Sequence, residues 1–262
     1  MTALSEAPIS RPDARLESLA RGFDSIGLGA RLRRLAEAAR ETGGEAVFTT
    51  SFGLEDQALT HAIVDSGAAI RLRTLDTGRL FPETYEVWAE TEARYGLRIE
   101  VFHPAADDLA RLTAEQGPYG FRESVAARQA CCGARKVLPL RRALAGAGVW
   151  VTGLRAEQSQ ARRGGHFVEW DEAHGLIKAA PLLDWPRQRL VDYVALERIP
   201  YNRLHDQGFP SIGCQPCTRA LRLGEEERAG RWWWEADARK ECGLHVHAAP
   251  EAASASLAAR AS

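Results

Sequence analysis

Between residues 46 and 152 the apolar pattern switches repeatedly between two periods, and this alternation narrows the fold more than any other feature of the chain. Ala46-Val47-Phe48-Thr49-Thr50-Ser51 is a short apolar, β-branched run, so a buried strand. Leu54 to Val64 carries Leu54, Ala58, His61 and Ala62 at helical spacing. Ala69–Leu75 reads as a strand, Pro82 to about Tyr95 as a helix opened by proline, and Leu97–Phe102 as a strand. Gly133–Ala145 is helical and Val149–Thr152 extended. A helix over Leu28–Ala39, stopped by Gly43-Gly44, precedes this series, and a helix over Pro186–Arg198 follows it. Residues 166–181 read as extended pieces around the turn Ala173-His174-Gly175. Alternating strands and helices predict an α/β fold, a parallel sheet with helices on both faces.

Composition excludes two classes of partner. Lys plus Arg number 34 against 35 Asp plus Glu, so no basic face for nucleic acid is implied. No stretch approaches the roughly 18 consecutive apolar residues of a membrane helix. Residues 1–12 and 248–262 hold too few large apolar groups to build a core and are expected to be disordered. Residues 1–20 carry charges throughout and no apolar run, so no secretion signal is expected.

The five cysteines fall into three places: Cys131-Cys132, Cys214-x-x-Cys217 and Cys242. Two pairs plus one left over point to a metal site and a separate reactive thiol. In a chain without a secretion signal, this is expected over a disulfide framework. Burial as small hydrophobes is the bland alternative. Zinc sites space their ligands by two to four residues so that two sulfurs reach one centre without strain. Adjacent cysteines suit the separate iron corners of a larger cluster better, and iron–sulfur clusters are held by Cys thiolates.

Ligands of open α/β sheets sit at the carboxyl ends of the strands. Three loops stand there. Ser51-Phe52-Gly53-Leu54-Glu55-Asp56 offers Ser, Gly and a helix N-terminus as an anion cradle. Asp76–Glu83 follows the second strand, and Thr152–Ser159, with Arg162 and Arg163 beyond it, follows the fourth. Three loops at one sheet edge, two of them with arginine, imply an anionic ligand.

Six stretches together carry a resemblance: SFGLEDQ at 51–57, LDTGRLFPE at 75–83, CCGARKVLPL at 131–140, VTGLRAEQS at 151–159, IPYNRLHDQGFPSIGCQPCT at 199–218 and GRWWWEADARKECGLH at 230–245. They resemble the sulfonucleotide reductases, in particular the iron–sulfur type acting on adenosine 5′-phosphosulfate, over roughly residues 45 to 247. Phe52 departs from the SGGxDS loop of the related ATP-pyrophosphatases, which argues against an ATP-dependent ligase. The resemblance implies an adenine nucleotide alpha hydrolase-like fold. It divides the chain into a nucleotide-binding domain over 1–224, which includes the iron–sulfur site, and a mobile C-terminal segment over 225–262.

It further implies that Cys131, Cys132, Cys214 and Cys217 hold a [4Fe–4S] cluster and that Cys242 is the nucleophile, assisted by His245. Ser51, Gly53, Leu75 and Gly153 would bind the nucleotide. Lys136, Arg155, Arg162, Arg163, Arg228 and Arg231 are the candidates to neutralise its anionic end, with the choice between Arg162 and Arg163 open. The implied reaction, in assimilatory sulfate reduction in the cytoplasm, is attack of the Cys242 thiolate on the substrate sulfur, with AMP leaving. Thioredoxin or a similar dithiol then releases sulfite. The cluster cysteines favour the nucleotide without a 3′-phosphate, and reduction of 3′-phosphoadenosine 5′-phosphosulfate is the alternative. A metal-thiolate redox sensor would not need the arginine-rich loops. Trp232-Trp233-Trp234 reads either as an anchor for the C-terminal segment or as a platform for the partner, and a homo-oligomer is compatible with all of this.

Overall fold

A computed structural model describes residues 13–159, 162–235 and 243–244. The expectations for 1–12, for 248–262, for Cys242 and for His245 lie outside these residues. Six strands form one sheet: β1 (Glu45–Thr50), β2 (Ile70–Leu75), β3 (Glu100–Phe102), β4 (Ala147–Val151), β5 (Val168–Asp171) and β6 (Leu176–Ala179). Their order is β3-β2-β1-β4-β6-β5. The first five in that order run parallel, and β5 pairs antiparallel with β6 as a hairpin at the edge. The expected sheet is therefore present, with one antiparallel edge strand supplied by the segment around Ala173–Gly175.

Eight α-helices accompany it among the described residues: α1 (Asp13–Ala20), α2 (Leu28–Glu41), α3 (Leu54–Ser66), α4 (Pro82–Tyr95), α5 (Ala106–Gln116), α6 (Val125–Cys132), α7 (Leu138–Ala143) and α8 (Arg187–Leu196). The sheet is buried on both faces, which explains its apolar runs. Ala46, Phe48, Val149, Val151, Ile177 and Ala179 pack with residues of α2, α3 and α8. On the opposite face Val47, Trp150 and Leu176 pack against Leu140 of α7 and Leu144.

The helix expected over Gly133–Ala145 is interrupted. Gly133–Val137 forms a π turn between α6 and α7, and such turns concentrate at functional sites. Pro139 follows it as the second residue of α7, and without an N–H it cannot continue the helical hydrogen-bond ladder there. No helix among the described residues is long and apolar enough to cross a membrane.

Candidate active site

The chain runs outward from β1 to β2 and β3, then returns to place β4 on the other side of β1. This reversal is the switch point at which open α/β sheets bind ligands. A cavity of about 190 Å³ lies there, walled by the loops after β1, β2 and β4, by the π turn and by residues 210–213 and 227–232.

The β1 loop carries an unusual backbone. Phe52 has φ +59°, a left-handed value that costs a residue with a Cβ. Its N–H donates to Thr50 Oγ1 at 3.0 Å, and its ring stacks on Trp88 with centroids 5.3 Å apart. Ser51 commits both donors to one carboxylate: its N–H and Oγ–H reach Asp56 Oδ2 at 2.6 and 2.7 Å. Burial pushes the Asp56 carboxyl up to about 6 despite these two bonds. Across the cavity, a Cβ on Gly153 would stand 2.1 Å from Asp56 Oδ1, so only glycine lets the β4 loop approach.

Eight of the expected nucleotide-site residues line this one cavity: Ser51, Gly53, Leu75, Lys136, Gly153, Arg162, Arg228 and Arg231. Arg163 is exposed and is not among the lining residues, so of the two neighbours Arg162 is the one placed at the cavity. Arg155 is also not a lining residue: it is fully buried and ion-paired with Glu55, Glu157 and Glu227. Leu244 lines the cavity and packs on the Val47–Trp150 cluster. Asp56 escaped the reading of the sequence. Its signal was present, since a carboxylate in a helix's first turn commonly serves the preceding loop.

Beside this cavity lies a second, smaller one. Cys131 and Cys132 end α6, and Cys214 and Cys217 flank a 3-10 turn. All four are free thiols, each less than one-tenth exposed, and all four line the same space. Five cations share that lining: Arg79, Arg128, Arg135, Lys136 and Arg231. Burial pushes the Cys131 thiol up, and Cys217 is pushed up to about 12 by burial and then by Cys214. Burial opposes ionisation of Cys214 too, yet Lys136, the Thr77 hydroxyl 3.3 Å away, Arg231 and Arg135 hold it below the ordinary range.

Among the described residues no three His, Cys, Asp or Glu are arranged to hold a single metal ion. The lining nevertheless fits a larger anionic group. Arg135 Nε, Arg231 Nε and Trp232 Nε1 are buried donors without a partner, and each costs about 1–3 kcal/mol if left so. Four thiols, five cations and three orphaned donors suit a group with several acceptor atoms. Lys136, Arg231 and Trp232 line both spaces and form the wall between them. Trp232 is 1% exposed, with the Arg128 and Arg231 guanidiniums each 4.7 Å from its ring centre, whereas Trp233 is exposed. Trp232 is therefore an anchor in the core, not a platform on the surface.

The phosphoadenosine phosphosulfate reductase domain matches residues 45–220, a span that takes in both spaces. The chain belongs to this family. Within it, the adenosine 5′-phosphosulfate reductase of Agrobacterium fabrum is 53% identical over 209 residues, covering 80% of each chain. That of Sinorhizobium fredii is 50% identical over 234 residues, covering 89% of this chain and 92% of its own. The Allochromatium vinosum reductase is 51% identical, covering 82% and 84%. A crystal structure of phosphoadenylyl-sulfate reductase from Candida auris in complex with phosphate superposes with a TM-score of 0.67 at 24% identity, covering 81% of this chain and all of that one. This last likeness concerns the fold alone.

Proposed function

We propose that this family member reduces adenosine 5′-phosphosulfate to sulfite and AMP, in assimilatory sulfate reduction in the cytoplasm. The observation that carries the reading is the switch-point cavity. It gathers Lys136, Arg162, Arg228 and Arg231 around a space beside the β1 loop, and it shares a wall with four buried thiols. Cations so placed offset the charge of a phosphosulfate, and bidentate arginines suit its oxygens. Relatives at about 50% identity bear the name of this activity.

The chemistry assigned to the chain's own residues is a covalent one. The Cys242 thiolate attacks the sulfur of the mixed anhydride, the S–O bond to AMP breaks, and an S-sulfocysteine remains. A dithiol such as thioredoxin then attacks Cys242 Sγ. Sulfite leaves with the S–S bond's electron pair, and the second thiol resolves the mixed disulfide, so the dithiol supplies both electrons. Gly243 and Leu244 follow Cys242 directly, and Leu244 lines the cavity, which supports delivery of the nucleophile from this segment. His245 is assigned to support the thiolate.

Cys131, Cys132, Cys214 and Cys217 would hold a [4Fe–4S] cluster. When bound it supplies thiolate-ligated iron and sulfide acceptors for the orphaned donors of its cavity. Lys136 and Arg231 line both spaces and so place positive charge between the nucleotide and the cysteine site.

The test is sulfite release from adenosine 5′-phosphosulfate and from its 3′-phosphorylated form, measured side by side with thioredoxin as reductant. A clear preference for the former is expected. Equal or reversed efficiency overturns the substrate assignment. Without reductant, a gain of about 80 Da is expected on a peptide containing Cys242, the mass of one sulfite group added by covalent catalysis. An adduct on another cysteine overturns the mechanism.

A further inference from the structure

Arg155 runs from the loop after β4 into the core and is 0% exposed. Its Nε–H donates to Glu55 Oε1 at 2.7 Å, and its Nη2 donates to both Glu227 carboxylate oxygens at 3.3 Å. Its Nη1 stands 3.5 Å from Glu157 Oε2. Arg187, at the start of α8, closes the ring: its backbone N–H donates to Glu157 Oε2 at 2.9 Å, and its Nη1 stands 3.7 Å from Glu227 Oε1. One buried guanidinium thus ties together the first turn of α3, the β4 loop and the segment that holds Glu227, and Arg187 joins the start of α8 to two of the same carboxylates.

Such a cluster adds little net stability, because desolvation of the charges offsets most of their attraction. What it supplies is a fixed position for each member. Glu227 immediately precedes Arg228, and both line the nucleotide cavity. The turn Arg228–Arg231 closes by donation from the Arg231 N–H to the Arg228 carbonyl at 3.0 Å. Beyond it the chain is held on the cysteine side, where Arg231 bridges to Thr218 and the Trp232 N–H donates to the Cys217 carbonyl at 3.1 Å. On the other side of the two cavity arginines, Glu227 ties the turn to the sheet domain through Arg155.

We propose that Arg155 is a positioning residue: from the core it holds the Glu227 carboxylate and thereby sets where Arg228 and Arg231 stand over the nucleotide cavity, without itself touching the nucleotide. The inference deepens the nucleotide reading above and rests on it. It also accounts for a charged side chain that the sequence assigns to the substrate and the structure turns away from it.

Arg155→Met strips three carboxylates of a partner and risks unfolding. The test therefore uses Glu227→Gln, which keeps the shape and removes the charge, and Arg155→Lys, which keeps the charge and loses the fork. Binding of AMP and of adenosine 5′-phosphosulfate is measured by calorimetry in a Cys242→Ser background, so that no turnover intervenes. Glu227→Gln is expected to weaken binding of adenosine 5′-phosphosulfate by about tenfold, the scale of one charge-assisted hydrogen bond, and Arg155→Lys to weaken it in the same direction.

The decisive reading is the double-mutant cycle with Arg228→Met. If Glu227 acts by placing Arg228, the two losses overlap, and the double variant binds at least threefold better than the product of the single losses. A merely structural role predicts losses that multiply, and that result overturns the inference. Binding by Glu227→Gln equal to the parent also overturns it. A parent protein that binds neither nucleotide overturns the nucleotide reading itself, and this inference falls with it.

Discussion

Phe52 is the residue at which local cost and global packing collide. Its left-handed backbone carries a penalty of roughly 1–2 kcal/mol for a residue with a Cβ, while its ring is buried against Trp88. Phe52→Ala keeps the penalty and discards the ring, at a cost of about 3–5 kcal/mol. Phe52→Gly discards the ring but relieves the backbone, so it is expected to be about 1 kcal/mol more stable than the alanine variant, the reverse of their order in a helix. Urea unfolding of the two proteins decides the point; equal midpoints or a more stable alanine variant refute it. Asp56 makes a second residue-scale prediction. Its folded pKa, about 6, lies above the ordinary 3.8, so the folded state holds the proton more tightly than the unfolded chain does. The associated stability is complete below about pH 3.8 and is lost as pH rises through about 6. Asp56→Asn stays neutral throughout. Relative to the parent it should therefore gain stability between pH 4 and pH 7, by up to a few kcal/mol, at about 1.4 kcal/mol for each pH unit that separates the folded from the unfolded pKa. A difference that stays flat across this range would show that Asp56 is not the titrating group.

At the scale of elements, close approach of backbone to side chain decides which glycines matter. A Cβ on Gly213 would stand 2.2 Å from Arg231 Nη2, so the 210–213 loop lies directly on the guanidinium that faces both cavities. Gly213→Ala should displace Arg231 from the Ile212 carbonyl it now reaches at 3.2 Å. The expected outcome is a loss of about tenfold or more in nucleotide affinity with the far-ultraviolet spectrum unchanged, on the scale of a charged hydrogen bond. Unaltered affinity would mean that Arg231 does not reach the ligand. Elements also show how far the sequence can be read. The strands and the helices α2, α3, α4 and α8 were legible because one or two local periods specify them. Helices α1, α5 and α6 were missed, although in α5 Asp107 and Asp108 in the first turn and in α6 Ser124 as a cap bonded to the Ala127 N–H are ordinary start signals. The π turn at Gly133–Val137 was not legible, because its extra residue shifts the helical phase by about 100° and the flanking helices, of 8 and 6 residues, are too short to display the shift.

For the molecule as a whole, the sheet's reversal between β1 and β4 brings the nucleotide cavity and the cysteine cavity against one wall, Lys136, Arg231 and Trp232. Arg128 is ion-paired with Glu235, but Arg79, Arg135, Lys136 and Arg231 around four buried thiols repel one another unless an anionic group lies between them. Cys214→Ser is therefore expected to lower bound iron and the melting temperature together, read by metal analysis and by calorimetry on anaerobically purified protein. Full iron in that variant would remove Cys214 from the ligand set. The sequence by itself determined the α/β class, the three loops at the strand ends and the grouping of cysteines, since periodicity and spacing are properties of neighbouring residues. The tertiary structure alone decided that Arg162 lines the cavity while Arg163 does not, that Arg155 is engaged by three carboxylates, and that Ser51 is already held by Asp56. Those outcomes depend on the paths of loops far apart in the chain. What holds Arg155 away from the cavity is the pairing of its charge with carboxylates brought together only in the assembled core, which no local pattern records.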